Sequence, residues 1–280
     1  MIVVDGDGLL RDAEAPLVYA DDLGVLHGDG VFETILVREG RARLVDAHVA
    51  RLVDGAERLD LPEPDVAKLR RAVLVAQEAW GESIDGALRI VYTRGRESEP
   101  SAATAFVTVS PVPERAATAR RDGISVTLLT RAHDPDVAAP WELSGAKALS
   151  YARNTAALRH ARGLGFDDAI YLSAAGSVLE SPRANVVAVI DGGLTATPPD
   201  DGILAGTTQA ALFDAADRHG VRVQHRRMTP DDLIRADGVW LLSALTLAAR
   251  VRRIDDCVLR ERSNRAVDVK KLVIEATAAG

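Results

Sequence analysis

The sequence holds one cysteine, Cys257, in 280 residues, which excludes an internal disulfide and leaves no cysteine framework for a metal site. It has no apolar run near the length of a membrane span. Its first residues, MIVVDGDGLLRDAEAP, carry acids where a secretory signal would carry a basic stretch ahead of an apolar one, so the expected location is the cytoplasm. Positive charge is also in deficit. A formal net charge of -7 argues against a nucleic-acid or anionic-membrane partner and points to small-molecule ligands. Lysine itself is scarce: only Lys68, Lys147, Lys270 and Lys271 occur, and the rest of the 34 basic residues are arginine. A guanidinium stays protonated, whereas a lysine amine can lose its proton and condense with an aldehyde. A lysine among apolar residues in such a chain invites a chemical explanation.

What is present is an ordinary globular composition, 47% hydrophobic and 27% charged, without low-complexity stretches, which predicts a chain folded almost end to end. Strands are expected over 2–20 around a Gly-Asp turn, at Val31 to Val37, in ALRIVYTRG and in TAFVTVSPV. Asp46 reads as a helix N-cap, followed by Val49, Leu52, Val53, Ala56 and Leu59 at helical spacing, and a second amphipathic helix covers 64–80. PVPERAATARRDG reads as a linker. Beyond it come a strand in GISVTLLTRA, an irregular segment over 132–146 and a helix from Tyr151 to Ala161. A hairpin of DDAIYLS and SVLE follows, then a strand in NVVAVI, a helix from Thr207 to His219, a short helix near Pro230 to Ile234 and the strand GVWLLS. Hairpins followed by irregularly alternating helices suggest two α+β domains rather than one doubly wound sheet. The boundaries are 1–112, a linker at 113–120, and 121–280.

Four segments carry candidate chemistry. Lys147 in SGAKALSYARN is flanked by small and apolar residues before a helix, a setting that suits an imine-forming amine and equally a snorkelling lysine at a helix start. Arg51 in DAHVARLVDGAERL shares a stripe with His48 and Gly55, where a cation beside a glycine would let a ligand approach; a solvated helix arginine fits the same pattern. GILAGTTQAAL opens into a helix at Thr207, which offers amides, two hydroxyls and the positive end of the helix dipole, and is by itself only a capped helix. Glu180 in GSVLESPRAN ends an apolar strand, where its carboxylate would face a protonated ring nitrogen or water.

In this order, GDGVFET with HVARLVDGAERL, then KALSYARN, then GSVLESPRAN with GILAGTTQ, resemble the class IV aminotransferases. These are the fold type IV enzymes that use pyridoxal phosphate, and the likeness is to the group of D-amino-acid aminotransferases and aminodeoxychorismate lyases. It spans roughly residues 20 to 251. The resemblance implies an N-terminal α/β sandwich and a C-terminal pseudo-barrel. It implies that Lys147 holds pyridoxal phosphate as a Schiff base, that Arg51, Thr207 and Thr208 hold its phosphate, and that Glu180 pairs with the pyridine nitrogen. Asn185 joins the cofactor-binding set, and Tyr151 falls where branched-chain members place a tyrosine against the ring hydroxyl. The segment SALTLAARV is similar to the family's substrate-facing loop, with Ala244 and Leu245 offering amides to a carboxylate.

The chain also departs from its relatives. D-amino-acid enzymes follow the TRG strand with an Arg-x-His carboxylate trap, and here the sequence is Thr93-Arg94-Gly95-Arg96-Glu97; their tyrosine in the GDGVY segment is Phe32. Arg94, Arg96 and Arg183 remain as candidates for a substrate carboxylate. The resemblance implies a homodimer and a transaminase that moves the amino group of a D-amino acid or related primary amine to an α-keto acid. Its alternative is 4-amino-4-deoxychorismate lyase, which releases pyruvate and 4-aminobenzoate.

Overall fold

The computed structural model describes residues 1–99, 102–131, 141–259 and 267–278, so most of the irregular segment expected over 132–146 lies outside the described residues. The chain divides into two compact units. One is Met1–Pro113 with Ala146–Tyr151, and the other is Glu114–Gly145 with the chain from Ala152 onward. Lys147 therefore belongs to the first unit, not to the 121–280 stretch in which the sequence reading placed it.

The first unit contains β1 (Ile2–Asp5), β2 (Leu10–Arg11), the single-turn helix α1 (Leu23–Leu26), β3 (Gly30–Arg38), β4 (Arg41–Ala42), α2 (Val45–Arg58), α3 (Val66–Trp80), β5 (Gly86–Thr93) and β6 (Thr104–Pro111). Its strands form one antiparallel sheet in the order β2-β1-β6-β5-β3-β4. Period-two alternation sends Val31, Ile35 and Val37 of β3, Leu88, Ile90 and Tyr92 of β5, and Val107 and Val109 of β6 to one face. There they pack on Val49, Leu52 and Ala56 of α2 and on Leu69, Val73 and Ala76 of α3. Burying each of the larger of these side chains stabilises the unit by about 1.5–3 kcal/mol. Glu33 lies in the same register as Val31 and Ile35, and so points inward. Asp46 is not the cap of α2: the N-cap is Leu44, in left-handed conformation, and Asp46 sits in the first turn, paired with Arg70.

The second unit contains α4 (Glu114–Asp122), β7 (Ile124–Thr130), α5 (Ala152–Gly163), β8 (Asp168–Leu172), β9 (Asn185–Ile190), β10 (Gly193–Ala196), α6 (Thr207–Arg218), β11 (Val223–His225), α7 (Pro230–Arg235), β12 (Gly238–Ser243), β13 (Leu247–Ile254), β14 (Cys257–Val258) and α8 (Val269–Ala278). The stretch read as a linker is thus largely helix α4. It reads as a linker because its residues are mostly small or charged and only Ala116 is buried. The sheet is mixed, in the order β11-β10-β9-β12-β13-β7-β8, with β14 paired to β13. Val186, Ala188, Val239, Leu241, Ala249, Val251, Val126 and Ile170 form its apolar core. The expected hairpin after β8 forms: the Ser173 amide donates to Ser177 O, the Leu179 amide to Tyr171 O and the Tyr171 amide to Glu180 O (2.8 Å each) around the bridge between Leu172 and Val178, while the Val178 amide points away from β8 and donates to Met228 O.

Candidate active site

In the first unit the residues 147–149 lie along the start of β3. The Phe32 amide donates to Lys147 O (3.0 Å), the Leu149 amide donates to Gly30 O (2.8 Å), and Val31 bridges Ala148. This pairing fixes the half-buried Lys147 side chain, whose Nζ stands 4.8 Å from the centroid of the Phe32 ring. Tyr151 meets the same ring edge-on, centroids 5.5 Å apart. Arg89, on β5, reaches the Phe32 ring from its own strand, with its guanidinium carbon 5.6 Å from the centroid. Register explains this: Phe32 pairs with Val91 and Thr34 with Arg89, so these residues share the sheet face turned away from α2 and α3.

On the other face, the next residue of β3 anchors α2. Glu33 is fully buried, and Arg51 donates to it through Nε (2.7 Å to Oε1) and Nη2 (2.8 Å to Oε2). His48 Nδ1 lies 2.7 Å from Oε2. Burial works to raise the Glu33 carboxyl, but Arg51 and His48 outweigh it and hold the pKa at about 2. Burial pushes the His48 imidazole below its ordinary value against the pull of Glu33. Glu33 is thus an anion at neutral pH and His48 a neutral ring whose proton belongs on Nδ1. Gly55, one turn on, does not open space for a ligand. A Cβ there would come within 3.2 Å of Val31 Cγ1, so the glycine serves helix-on-sheet packing.

In the second unit, Glu180 and Asn185 clamp one peptide of the loop that leads into α6. The Leu204 amide donates to Glu180 Oε2 (3.1 Å), and Asn185 Nδ2 donates to Leu204 O (2.7 Å). Gly206 is the N-cap of α6 and has no side chain to take up the first-turn amides. A Cβ on Gly206 would stand 1.9 Å from Asn185 Oδ1, so this position admits only glycine without displacing Asn185. Thr207, Thr208 and Gln209 form a buried first turn, and Gln209 Oε1 has no hydrogen-bond partner among the described residues. The turn holding Ala244 and Leu245 joins β12 to β13; Arg120 donates to Leu245 O (2.9 Å), and Ser243 Oγ accepts from the Thr246 amide. A separate cavity of about 440 Å³ in this unit is lined by Phe166, Asp168, Arg183, Ser243 and Thr246 among others, and not by Glu180, Asn185, Thr207 or Thr208.

The three arginines named from sequence for a substrate carboxylate are each turned to a carboxylate of the chain itself. Arg94 forks onto Asp29 (2.6 Å) and donates to the carbonyls of Leu59 and Asp60. Arg96 pairs with Asp21 (2.9 Å) and stacks on Tyr19. Arg183 pairs with Asp168 (2.9 Å), which is buried and also accepts from Ser181 Oγ. Arg89, by contrast, makes no hydrogen bond or ion pair with any described residue. Among the described residues no group of three or more His, Cys, Asp or Glu is placed to hold a metal ion, and no helix is long and apolar enough to cross a membrane.

Comparison with known proteins identifies the family. The family described as Amino-transferase class IV matches residues 30–254. The chain belongs to the class IV aminotransferases. A bifunctional aminodeoxychorismate lyase / D-amino acid transaminase of Mycobacterium tuberculosis is 49% identical over 265 residues, 91% of each chain. Solved structures of a hypothetical aminotransferase from Mycobacterium tuberculosis, one PLP-bound and one holding alpha-ketoglutarate and PMP, match at a TM-score of 0.96 and 47% identity, covering 100% of this chain and 99% of the other. A fold IV-transaminase from Curtobacterium pusillum matches at 0.91 and 37% identity over 100% and 99% of the two chains. The fold of this class IV aminotransferase, two units of mixed helix and strand each built on one sheet, is the α+β architecture expected of fold type IV.

Proposed function

We propose that this class IV aminotransferase holds pyridoxal phosphate on Lys147 and moves the amino group of a D-amino acid or related primary amine to a 2-keto acid. Release of pyruvate and 4-aminobenzoate from 4-amino-4-deoxychorismate is the second outcome, favoured by the paired activities named for the Mycobacterium tuberculosis relative. The observation that carries the reading is the position of Lys147: its backbone is pinned to β3 and its amine stands against the Phe32 ring beside Tyr151.

The donor set fits the cofactor. A phosphate calls for a fixed cation and the positive end of a helix, and Arg51 with the start of α6 at Thr207 and Thr208, behind a glycine N-cap, would supply them. Glu180 would face the ring nitrogen, held in place by the Leu204 amide, and Asn185 would keep that loop in position. Tyr151 would stand by the ring hydroxyl. When bound, pyridoxal phosphate supplies an aldehyde that captures amines and a ring that accepts an electron pair. Lys147 Nζ takes the proton from the substrate α-carbon and returns it in the transaminase outcome. Arg89 takes the substrate carboxylate. Like Lys147 it reaches the Phe32 ring, and it pairs with no carboxylate among the described residues; the peptide amides of Ala244 and Leu245 are a second carboxylate donor set.

The enzyme works as a homodimer in the cytoplasm on small amines and keto acids. The exposed apolar side chains of Tyr19, Val25 and Leu26 in the first unit support a covered surface there, and gel filtration of Val25→Glu against the parent chain tests it. For the reaction itself, the full chain loaded with pyridoxal phosphate is offered D-alanine, D-glutamate and 1-phenylethylamine with 2-oxoglutarate, and separately 4-amino-4-deoxychorismate. Amino transfer from any of the three amines is expected. Failure of all three with formation of 4-aminobenzoate overturns the transaminase reading in favour of the lyase, and failure of every substrate overturns both.

A further inference from the structure

The buried carboxylate between β3 and α2 takes no part in the reaction as proposed, yet it is built at considerable cost. Glu33 is fully enclosed, and its two oxygens accept from Arg51 Nε, Arg51 Nη2, His48 Nδ1 and the Thr34 amide. Burying a carboxylate is unfavourable unless its partners are fixed, and four donors on two oxygens leave little lone-pair capacity unused. Arg51 meets this anion with two of its three guanidinium nitrogens, side-on. Its plane and its remaining edge are thereby fixed relative to β3, the strand that also pins Lys147 through Phe32.

We infer that Glu33 is a positioning residue: it aims the Arg51 guanidinium at the cofactor phosphate, with His48 holding the carboxylate from the other side. This rests on the reading that Arg51 binds that phosphate. The chemistry of the site separates aiming from charge balance. Glu33→Asp keeps the anion but is one methylene too short to keep both Arg51 contacts and His48. Glu33→Gln keeps the length but offers one acceptor oxygen in place of two, so in either amide orientation an NH2 group faces an Arg51 donor. His48 can change tautomer to adapt; Arg51 cannot.

The test measures, on the full chain freed of cofactor, the affinities for pyridoxal phosphate and for pyridoxal, which lacks the phosphate. The quantity read is the preference for the phosphorylated form. Glu33→Asp and Glu33→Gln are each expected to lower that preference about 10- to 100-fold while pyridoxal binding holds, the scale seen when an outer partner of a binding group is lost. Arg51→Gln is the reference, and adding either Glu33 change to it should produce no further loss of preference. An unchanged preference in a folded Glu33 variant overturns the inference. So does a rise in Glu33→Gln, which would make charge balance the larger effect, and so does equal weakening of both ligands, which would mark general damage. If Arg51→Gln itself keeps the preference, the assignment of Arg51 to the phosphate fails instead.

Discussion

Replacing Arg89 by methionine removes a guanidinium and keeps most of the side-chain volume. Arg89 is exposed and makes no hydrogen bond or ion pair with any described residue, so stability should change by no more than about 0.5 kcal/mol. The cost should fall on the substrate. A charge-assisted hydrogen bond to a carboxylate contributes about 1.5–3 kcal/mol, which corresponds to a loss of roughly 10- to 150-fold in kcat/KM. The loss should appear with D-alanine, D-glutamate and 2-oxoglutarate. It should be absent from the amine half-reaction with 1-phenylethylamine, which has no carboxylate, and the thermal midpoint should stay where it is. Half-reactions followed at the cofactor absorbance give both numbers from one preparation. Equal losses for 1-phenylethylamine and for D-alanine would refute the assignment, because they would place Arg89 at the cofactor or in the fold instead. So would full activity with all substrates.

Other outcomes follow from the same geometry. Arg94→Met should behave in the opposite way, lowering stability by about 1–3 kcal/mol through loss of its Asp29 fork and its two carbonyl contacts, and differential scanning calorimetry reads this directly. Glu33 contributes to acid stability with a definite sign. Its carboxyl is near 2 in the fold against an ordinary 4.5, so about 3 kcal/mol is present above pH 4.5 and is lost as pH falls toward 2. Denaturant midpoints of Glu33→Gln should therefore trail the parent at pH 6 and converge with it toward pH 2.5, and a gap that stays constant contradicts this. Gly206→Ala should displace Asn185, cost about 1–3 kcal/mol by overpacking, and speed loss of pyridoxal phosphate on dialysis.

The residues proposed to hold the cofactor could be named from the sequence because each sits in a short motif with a chemical reason: a rare lysine, a glycine-opened helix, a carboxylate at a strand end. Element type was legible wherever periodicity was strong, as in α2, α3, β5 and β6. The arginine proposed for the substrate carboxylate could not be named that way. Arg94 and Arg96 stand out by their place after the TRG strand, but which guanidinium is left unpaired depends on Asp29 and Asp21, more than 60 residues earlier in the chain. Arg89 could have been found from period two alone, since Leu88, Ile90 and Tyr92 point to the core and Arg89 must face the other way. Glu33 carried a signal too: a charged residue at an inward position of an apolar strand needs buried partners, and His48 and Arg51 stand one helical turn apart. The segment 114–122 escaped notice as a helix because it buries one alanine and so shows almost no apolar stripe.

The most direct measurement is the absorbance spectrum of the full chain after incubation with pyridoxal phosphate and removal of the excess. The account predicts a violet band in the parent protein that bleaches on addition of D-alanine, and no such band in Lys147→Ala under the same treatment. A parent protein without the band, or a Lys147→Ala protein that keeps it, would contradict the claim that Lys147 holds the cofactor.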